Sequence, residues 1–144
     1  MSWPARKSVL VPIDFSDASF LALEEALRTV EAPEDVHVLH VLAKLETAAE
    51  FLRDALVSDD RDVRAREALR ERLAAAGHHE VDILVETGVA GEVIAETALK
   101  LSCDLIVMPS HGRKGLPRVF LGSVAERVLR LASCPVLVLR NLTS

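Results

Sequence analysis

Short apolar runs at regular intervals divide the chain into alternating strands and helices. Runs rich in Val, Ile and Leu predict five strands, at residues 9–13, 36–42, 81–85, 104–108 and 135–139. Each run is apolar at most of its positions, which is typical of strands buried on both faces of a parallel sheet.

Between these runs, apolar residues recur at the spacing of helices. The first helix is expected to begin near Ser16 or Asp17, either of which can cap it, and to stop at Pro33. Its buried face is predicted to be Phe20, Leu23, Leu27 and Val30. The other helical patterns cover residues 48–56, 63–76, 93–101 and 124–131, with a break at 58–60.

This βαβαβαβαβ order predicts the fold class: a three-layer α/β domain over residues 1–144, with a five-stranded parallel sheet and two helices on each face. In such sheets ligands bind beyond the carboxyl ends of the strands, at a topological switch point. That rule selects three segments, at residues 12–17, 41–43 and 108–123.

Composition narrows the function classes. The net charge is −5, from 17 basic and 22 acidic residues, which argues against a nucleic-acid partner. No apolar stretch approaches the roughly 20 residues of a membrane span, so we expect a cytoplasmic protein without a membrane partner. Cys103 and Cys134 are too few for a disulfide framework and are expected to be free thiols.

The segment after the fourth strand carries the candidate chemistry. Gly112, Gly115 and Gly122 punctuate a loop that leads into a helix opened by Ser123. The first amides of a helix lack internal partners, and the helix dipole favours an anion there. Three cations, Arg113, Lys114 and Arg118, lie within the same loop. The alternative is an ordinary turn and helix cap with solvated charges, and the loop alone does not decide between them.

Three motifs extend the comparison to the whole chain. Ser110-His111-Gly112, nine residues, and Gly122-Ser123-Val124-Ala125-Glu126 resemble the signature loop of the universal stress protein family. The opening Val9-Leu10-Val11-Pro12-Ile13-Asp14-Phe15-Ser16 and the ending Cys134-Pro135-Val136-Leu137-Val138-Leu139 are similar to that family's first and last strands. The resemblance implies a Rossmann-like fold of the adenine nucleotide alpha hydrolase-like type, and ATP or AMP, with or without Mg²⁺, as ligand.

The resemblance also implies roles for individual residues. Pro12 and Asp14 would border the adenosine, Val41 would meet the adenine edge through its backbone, and Met108 would line the pocket beside the ribose. The phosphates would be held by Ser110, Gly112, Arg113, Gly122, Ser123 and Val124. A homodimer through the last strand, Val136 to Leu139, is implied as well. Asp14 as a helix cap, and Val41 and Met108 as plain strand core, are the alternatives.

One position departs from the family pattern. Pro109 stands where the nucleotide-binding branch has the first loop glycine, and proline has no N–H to donate. Such a lost bond to a charged ligand is worth about 1.5–3 kcal/mol. Two functions therefore stay open: a nucleotide-binding regulatory module, and a nucleotide-independent dimeric interaction protein of the same fold.

An enzyme is the least favoured function class, with slow ATP hydrolysis at most incidental. His111 lacks a partnered nucleophile and is expected to be a hydrogen-bonding surface residue. His37 and His40 are three apart in a strand, so they are expected to face opposite sides and not to share a metal.

Overall fold

Five parallel strands form one sheet in the order β3-β2-β1-β4-β5. The computed structural model describes residues 4–56, 61–111 and 121–140. In chain order the elements are β1 Val9–Pro12, α1 Asp17–Leu27, β2 Val36–Leu42, α2 Ala48–Leu56, α3 Arg61–Ala75, β3 Asp82–Thr87, α4 Ala90–Lys100, β4 Leu105–Pro109, α5 Ser123–Leu131 and β5 Val136–Leu139. A short 3₁₀ turn, Pro33–Asp35, precedes β2.

Two apolar clusters lie on opposite faces of the sheet, which confirms the predicted layers. Helices α1 and α3 cover one face, where Leu23 and Leu69 pack against Val11 and Val38. Helices α4 and α5 cover the other face. The buried residues there come from these two helices and from β1, β2 and β4: Leu10, Leu39, Ile94, Ala98, Ile106, Met108, Ala125 and Val128. Helix α2 is an additional helix whose Phe51 is 59% exposed.

The start of α1 is set by Ser16. Its side chain accepts a hydrogen bond from the amide of Ser19 at 3.1 Å, as an N-cap does. The prediction that Ser16 or Asp17 caps this helix is therefore confirmed for Ser16. The helix ends at Leu27, earlier than the apolar spacing suggested, because Val30 instead pairs with Arg6 as an isolated parallel bridge.

The other boundaries differ from the predictions by a few residues. Helix α4 begins at Ala90, three residues before the first apolar position of its predicted stretch, because periodicity marks only the buried positions. Strand β3 runs to Thr87, two residues beyond its apolar run. The predicted break at residues 58–60 lies outside the described residues. In the described parts of the chain, no helix has the length and apolar character needed to cross a membrane.

Candidate functional site

The pairing of β1 with β4 stops before the carboxyl ends of the two strands, and we call the region between those ends the crevice. These strands pair only at Val9–Leu105 and Leu10–Ile106, although β1 continues to Pro12 and β4 to Pro109. This boundary is the switch point of the sheet, since β2 and β3 lie beyond β1 and β5 lies beyond β4. The carboxyl ends of the two central strands are therefore not held together by a continuous ladder.

The direction of the backbone amides explains why Pro109 is tolerated in β4. Ile106 donates its amide to Pro135 at 3.0 Å, and Ser110 donates to Leu139 at 2.8 Å, both toward β5. Amides alternate in direction along a strand, so residue 109 faces β1 instead. The proline thus costs the β4–β5 ladder no hydrogen bond, and the donor that it lacks would have pointed into the crevice.

Three of the predicted adenosine-lining residues lie on one face of the sheet. Met108 is buried in the cluster beneath α4 and α5, and Val41 packs against the same cluster. Pro12 follows Leu10 by two residues, so alternation places it on this face as well. Pro12, Val41 and Met108 thus stand near the carboxyl ends of three adjacent strands, and Met108, 4% exposed, is also part of the core.

Asp14 lies in the turn that follows β1. Its Oδ1 accepts hydrogen bonds from the amide of Ser16 at 3.0 Å and from the Ser16 hydroxyl. Ser16 itself caps α1, so the interpretation of Asp14 as the helix cap is not needed. Within the described chain, no hydrogen bond involves the second carboxylate oxygen of Asp14, which leaves that atom to accept from a ligand.

The same turn is held from β2 by His40, a residue considered from the sequence only as a possible metal ligand together with His37. The Nδ1 of His40 lies 2.7 Å from the carbonyl oxygen of Ile13. The His40 ring also meets the Phe15 ring edge-on, with centroids 4.8 Å apart. Alternation along β2 predicted only that His40 faces away from His37. Its contact with Ile13 could not be predicted, because the sequence does not show that β1 lies beside β2.

The entrance of α5 is built around Gly122. This buried glycine donates its amide to the Ser110 carbonyl at 2.7 Å, and a Cβ at Gly122 would lie 2.9 Å from the same oxygen. Gly122 is the N-cap and offers no side chain to the helix amides. Ser123 and Val124 follow in the first turn and are exposed residues, and the first amides of a helix have no acceptor within the helix.

Part of the predicted phosphate loop lies outside the described residues: Gly112 and Arg113, together with Lys114, Gly115 and Arg118. Ser110 is 5% exposed, and its hydroxyl lies 3.3 Å from Nδ1 of His111.

The histidines of β2 face opposite sides, as predicted. His37 Nδ1 lies 2.7 Å from a carboxylate oxygen of Asp82 on β3, whereas His40 reaches Ile13. The residues that the structure describes contain no group of three or more His, Cys, Asp or Glu side chains that could hold a metal ion.

Two solved structures with nucleotides share this fold. One is a universal stress protein in complex with cAMP, 22% identical with a TM-score of 0.64, covering 94% of this chain and 98% of that one. The other is a universal stress protein family protein from Arabidopsis thaliana with AMP bound, 19% identical with a TM-score of 0.61, covering 94% of this chain and 93% of that one. At these identities the likeness concerns the fold.

Two relatives with higher sequence identity to this chain identify its family. Universal stress protein MJ0531 of Methanocaldococcus jannaschii is 35% identical over 94% of this chain and 82% of its own length. Universal stress protein MJ0577 of the same organism is 30% identical over 96% and 97%, and its solved structure matches with a TM-score of 0.74 over 96% of this chain and 98% of that one. The model of the universal stress protein family matches residues 5–140. The chain therefore belongs to the universal stress protein family.

Proposed function

We propose that this protein binds an adenine nucleotide, ATP or AMP, in the crevice between β1 and β4, and acts as a cytoplasmic regulatory module. The observation that carries the proposal is the start of α5, where the N-cap Gly122 has no side chain to cap the helix and is joined by its amide to Ser110 at the end of β4. A helix start without a side-chain cap stabilises an anion through its first amides and its dipole.

In this proposal the phosphates lie against the amides of Ser123 and Val124. The amide of Gly122 has a different task, since it binds the carbonyl of Ser110 and fixes the end of β4 to the start of α5. The close approach of these two backbones explains why a glycine stands there, because a Cβ would lie 2.9 Å from the Ser110 oxygen. Gly112 and Arg113 are proposed to complete the phosphate contacts.

The adenosine would lie along the wall of Pro12, Val41 and Met108. Apolar side chains on this face suit a purine ring, and few polar groups are needed to orient it. Asp14 supplies one of them, since its second carboxylate oxygen can accept a hydrogen bond from the ribose or the base. The relatives of this fold that hold cAMP and AMP support a ligand of this class.

Binding, rather than turnover, is the proposed activity. A regulatory role requires only that the occupied and empty states differ in conformation or in partner choice. The hydroxyl beside Nδ1 of His111 belongs to Ser110, which is only 5% exposed and is therefore poorly placed to attack a ligand. Mg²⁺ would arrive with the phosphates of ATP, and any ATP hydrolysis would be slow and incidental.

A homodimer through β5 forms part of the proposal. In the described sheet, β5 pairs with β4 on one side only, and Leu137 is 41% exposed. An apolar edge strand with one open side is a surface for pairing with a second copy. Light scattering at micromolar concentration should give twice the mass of the chain, and the mass of a single chain would refute the dimer.

A second candidate function rests on Pro109. The crevice lacks the donor that a glycine would provide at this position, which favours an interaction protein that keeps the fold and the dimer without the ligand.

Mass spectrometry of nucleotide released from the purified protein, followed by calorimetric titration with ATP and Mg²⁺, separates the two functions. Co-purified ATP or AMP, or saturable binding below millimolar concentration, is expected for the nucleotide-binding module. No released nucleotide and no binding at millimolar ATP would leave the interaction protein. A Ser123→Pro variant tests the phosphate end directly: it removes one amide from the start of α5 at a position where helices accept proline, and it should weaken ATP binding.

A further inference from the structure

The turn after β1 holds a backbone conformation that needs support. Phe15 has φ of 65°, in the left-handed region that residues other than glycine seldom adopt. Such a residue persists only where its surroundings fix it. The turn also carries Asp14 and Ser16, so contacts that hold Phe15 also hold the backbone from which the Asp14 carboxylate extends.

His40 supplies that support from the neighbouring strand. A carbonyl oxygen can only accept a hydrogen bond, so the 2.7 Å contact with Ile13 requires that Nδ1 of His40 carries the proton. The contact therefore fixes the last carbonyl before Asp14 and also fixes the tautomer of the imidazole.

Rings hold the turn on both sides of Phe15. The Phe15 ring lies edge-on to His40, at an interplanar angle of 73°, and edge-on to Phe20 of α1, with centroids 6.2 Å apart. The guanidinium of Arg72 on α3 lies 4.0 Å above the Phe20 ring. The turn is thus connected to β2, α1 and α3, whereas the carboxylate of Asp14 is fixed locally by Ser16.

We infer that His40 is a positioning residue for the nucleotide: its Nδ1–H holds the Ile13 carbonyl, and so directs the free carboxylate oxygen of Asp14 toward the adenosine. This inference rests on the proposed nucleotide site. His40 does not touch the ligand in this account; it lies on the sheet face of α1 and α3, opposite the wall of Val41 and Met108.

Two substitutions distinguish the effect of the His40 N–H donor from the effect of its ring packing against Phe15. His40→Phe keeps a ring against Phe15 and removes the N–H, whereas His40→Asn places an amide N–H near the position of Nδ1. Loss of one neutral hydrogen bond predicts that His40→Phe weakens ATP binding roughly three- to tenfold. The loss should be equal for adenosine and ATP, because the phosphate end at α5 is untouched. His40→Asn should recover most of the affinity.

His37→Asn is the control, since it lies on the same strand and faces Asp82. Its affinity should stay within about twofold of the parent protein. A His40→Phe variant that binds ATP as the parent does, or an Asn variant as weak as the Phe variant, would overturn the inference.

A measurement without nucleotide keeps the inference separate from the proposed function. Nitrogen-15 NMR of the parent protein should show the proton of neutral His40 on Nδ1, and amide exchange at Asp14–Ser16 should accelerate in His40→Phe. If the parent protein binds no nucleotide, the proposed function fails while these two signals persist. A proton on Nε2, or unchanged exchange in the Phe variant, would refute the role of His40 itself.

Discussion

The missing donor at residue 109 gives the sharpest test of the nucleotide site. Pro109→Gly introduces an N–H that faces β1 and the crevice, because Ile106 and Ser110 direct theirs toward β5. A hydrogen bond from this amide to a phosphate or another charged group would contribute about 1.5–3 kcal/mol. That range corresponds to a gain in ATP affinity of roughly ten- to a hundredfold.

The fold itself should change little on this substitution. Removing a proline adds freedom to the unfolded chain, which lowers the free energy of unfolding by roughly 0.4–1 kcal/mol, and the loss of the buried Pro109 ring adds to this cost. The β4–β5 ladder is unaffected, since the proline nitrogen does not face β5. Thermal or urea unfolding in the absence of nucleotide measures this cost separately from binding.

Calorimetric titration of parent, Pro109→Gly and Pro109→Ala with ATP and Mg²⁺ is the decisive assay. The Ala variant restores the N–H without the flexibility of glycine, so both variants should gain affinity if the donor is the cause. Pro33→Ala, at the 3₁₀ turn before β2, controls for proline removal elsewhere. Equal or weaker binding by both residue-109 variants would refute a role for this amide in binding ATP. The new amide would in that case have another acceptor, such as the carbonyl of Pro12 across the crevice.

Three further predictions follow from single contacts. Gly122→Ala places a Cβ 2.9 Å from the Ser110 carbonyl oxygen, at an ordinary φ of −66°. Overpacking should therefore lower the free energy of unfolding by roughly 1–3 kcal/mol and weaken ATP binding. Urea unfolding and ATP titration like those of the parent protein would contradict this. Leu137→Lys should give a monomer by light scattering with an unchanged circular dichroism spectrum, and a persistent dimer would exclude β5 as the interface. Burial raises the pKa of the Cys103 thiol, against an opposing hydrogen bond with Ser8. The unfolded thiol therefore ionises first, and above about pH 8.5 the protein should lose stability relative to Cys103→Ala in pH-dependent urea unfolding; parallel curves would show that burial does not favour the neutral thiol.

The sequence predicted the layers of this fold because hydrophobic periodicity reports burial directly. Strands buried on both faces are continuous apolar runs, and β2 was predicted with its observed bounds, Val36–Leu42. Ends of helices were less predictable, since they depend on capping and on contacts elsewhere. Val30 has helical spacing but pairs with Arg6, a contact that is distant in sequence.

Only those parts of the candidate site that a local sequence motif specifies could be predicted from the sequence. Gly122 and Ser123 could be placed at a helix start from the sequence, and the structure has them there. The hydrogen bond between Gly122 and Ser110 could not be predicted, because it depends on the path of the intervening loop. The contact of His40 with Ile13 could not be predicted either, since an imidazole in a strand is equally consistent with a solvated side chain.

The order of the strands is what turns isolated residues into a site. Pro12 and Pro109 are each an ordinary strand-end proline in the sequence, but the order β3-β2-β1-β4-β5 brings β1 beside β4. Both residues follow the last paired positions, Leu10 and Ile106, and neither can donate to a ladder. The β1–β4 pairing therefore stops short of the carboxyl ends, and this leaves the edge open beside the start of α5. The same two prolines thus end the β1–β4 ladder and remove two amide donors from the region between the strands, which is why the proposed nucleotide site is tested at Pro109.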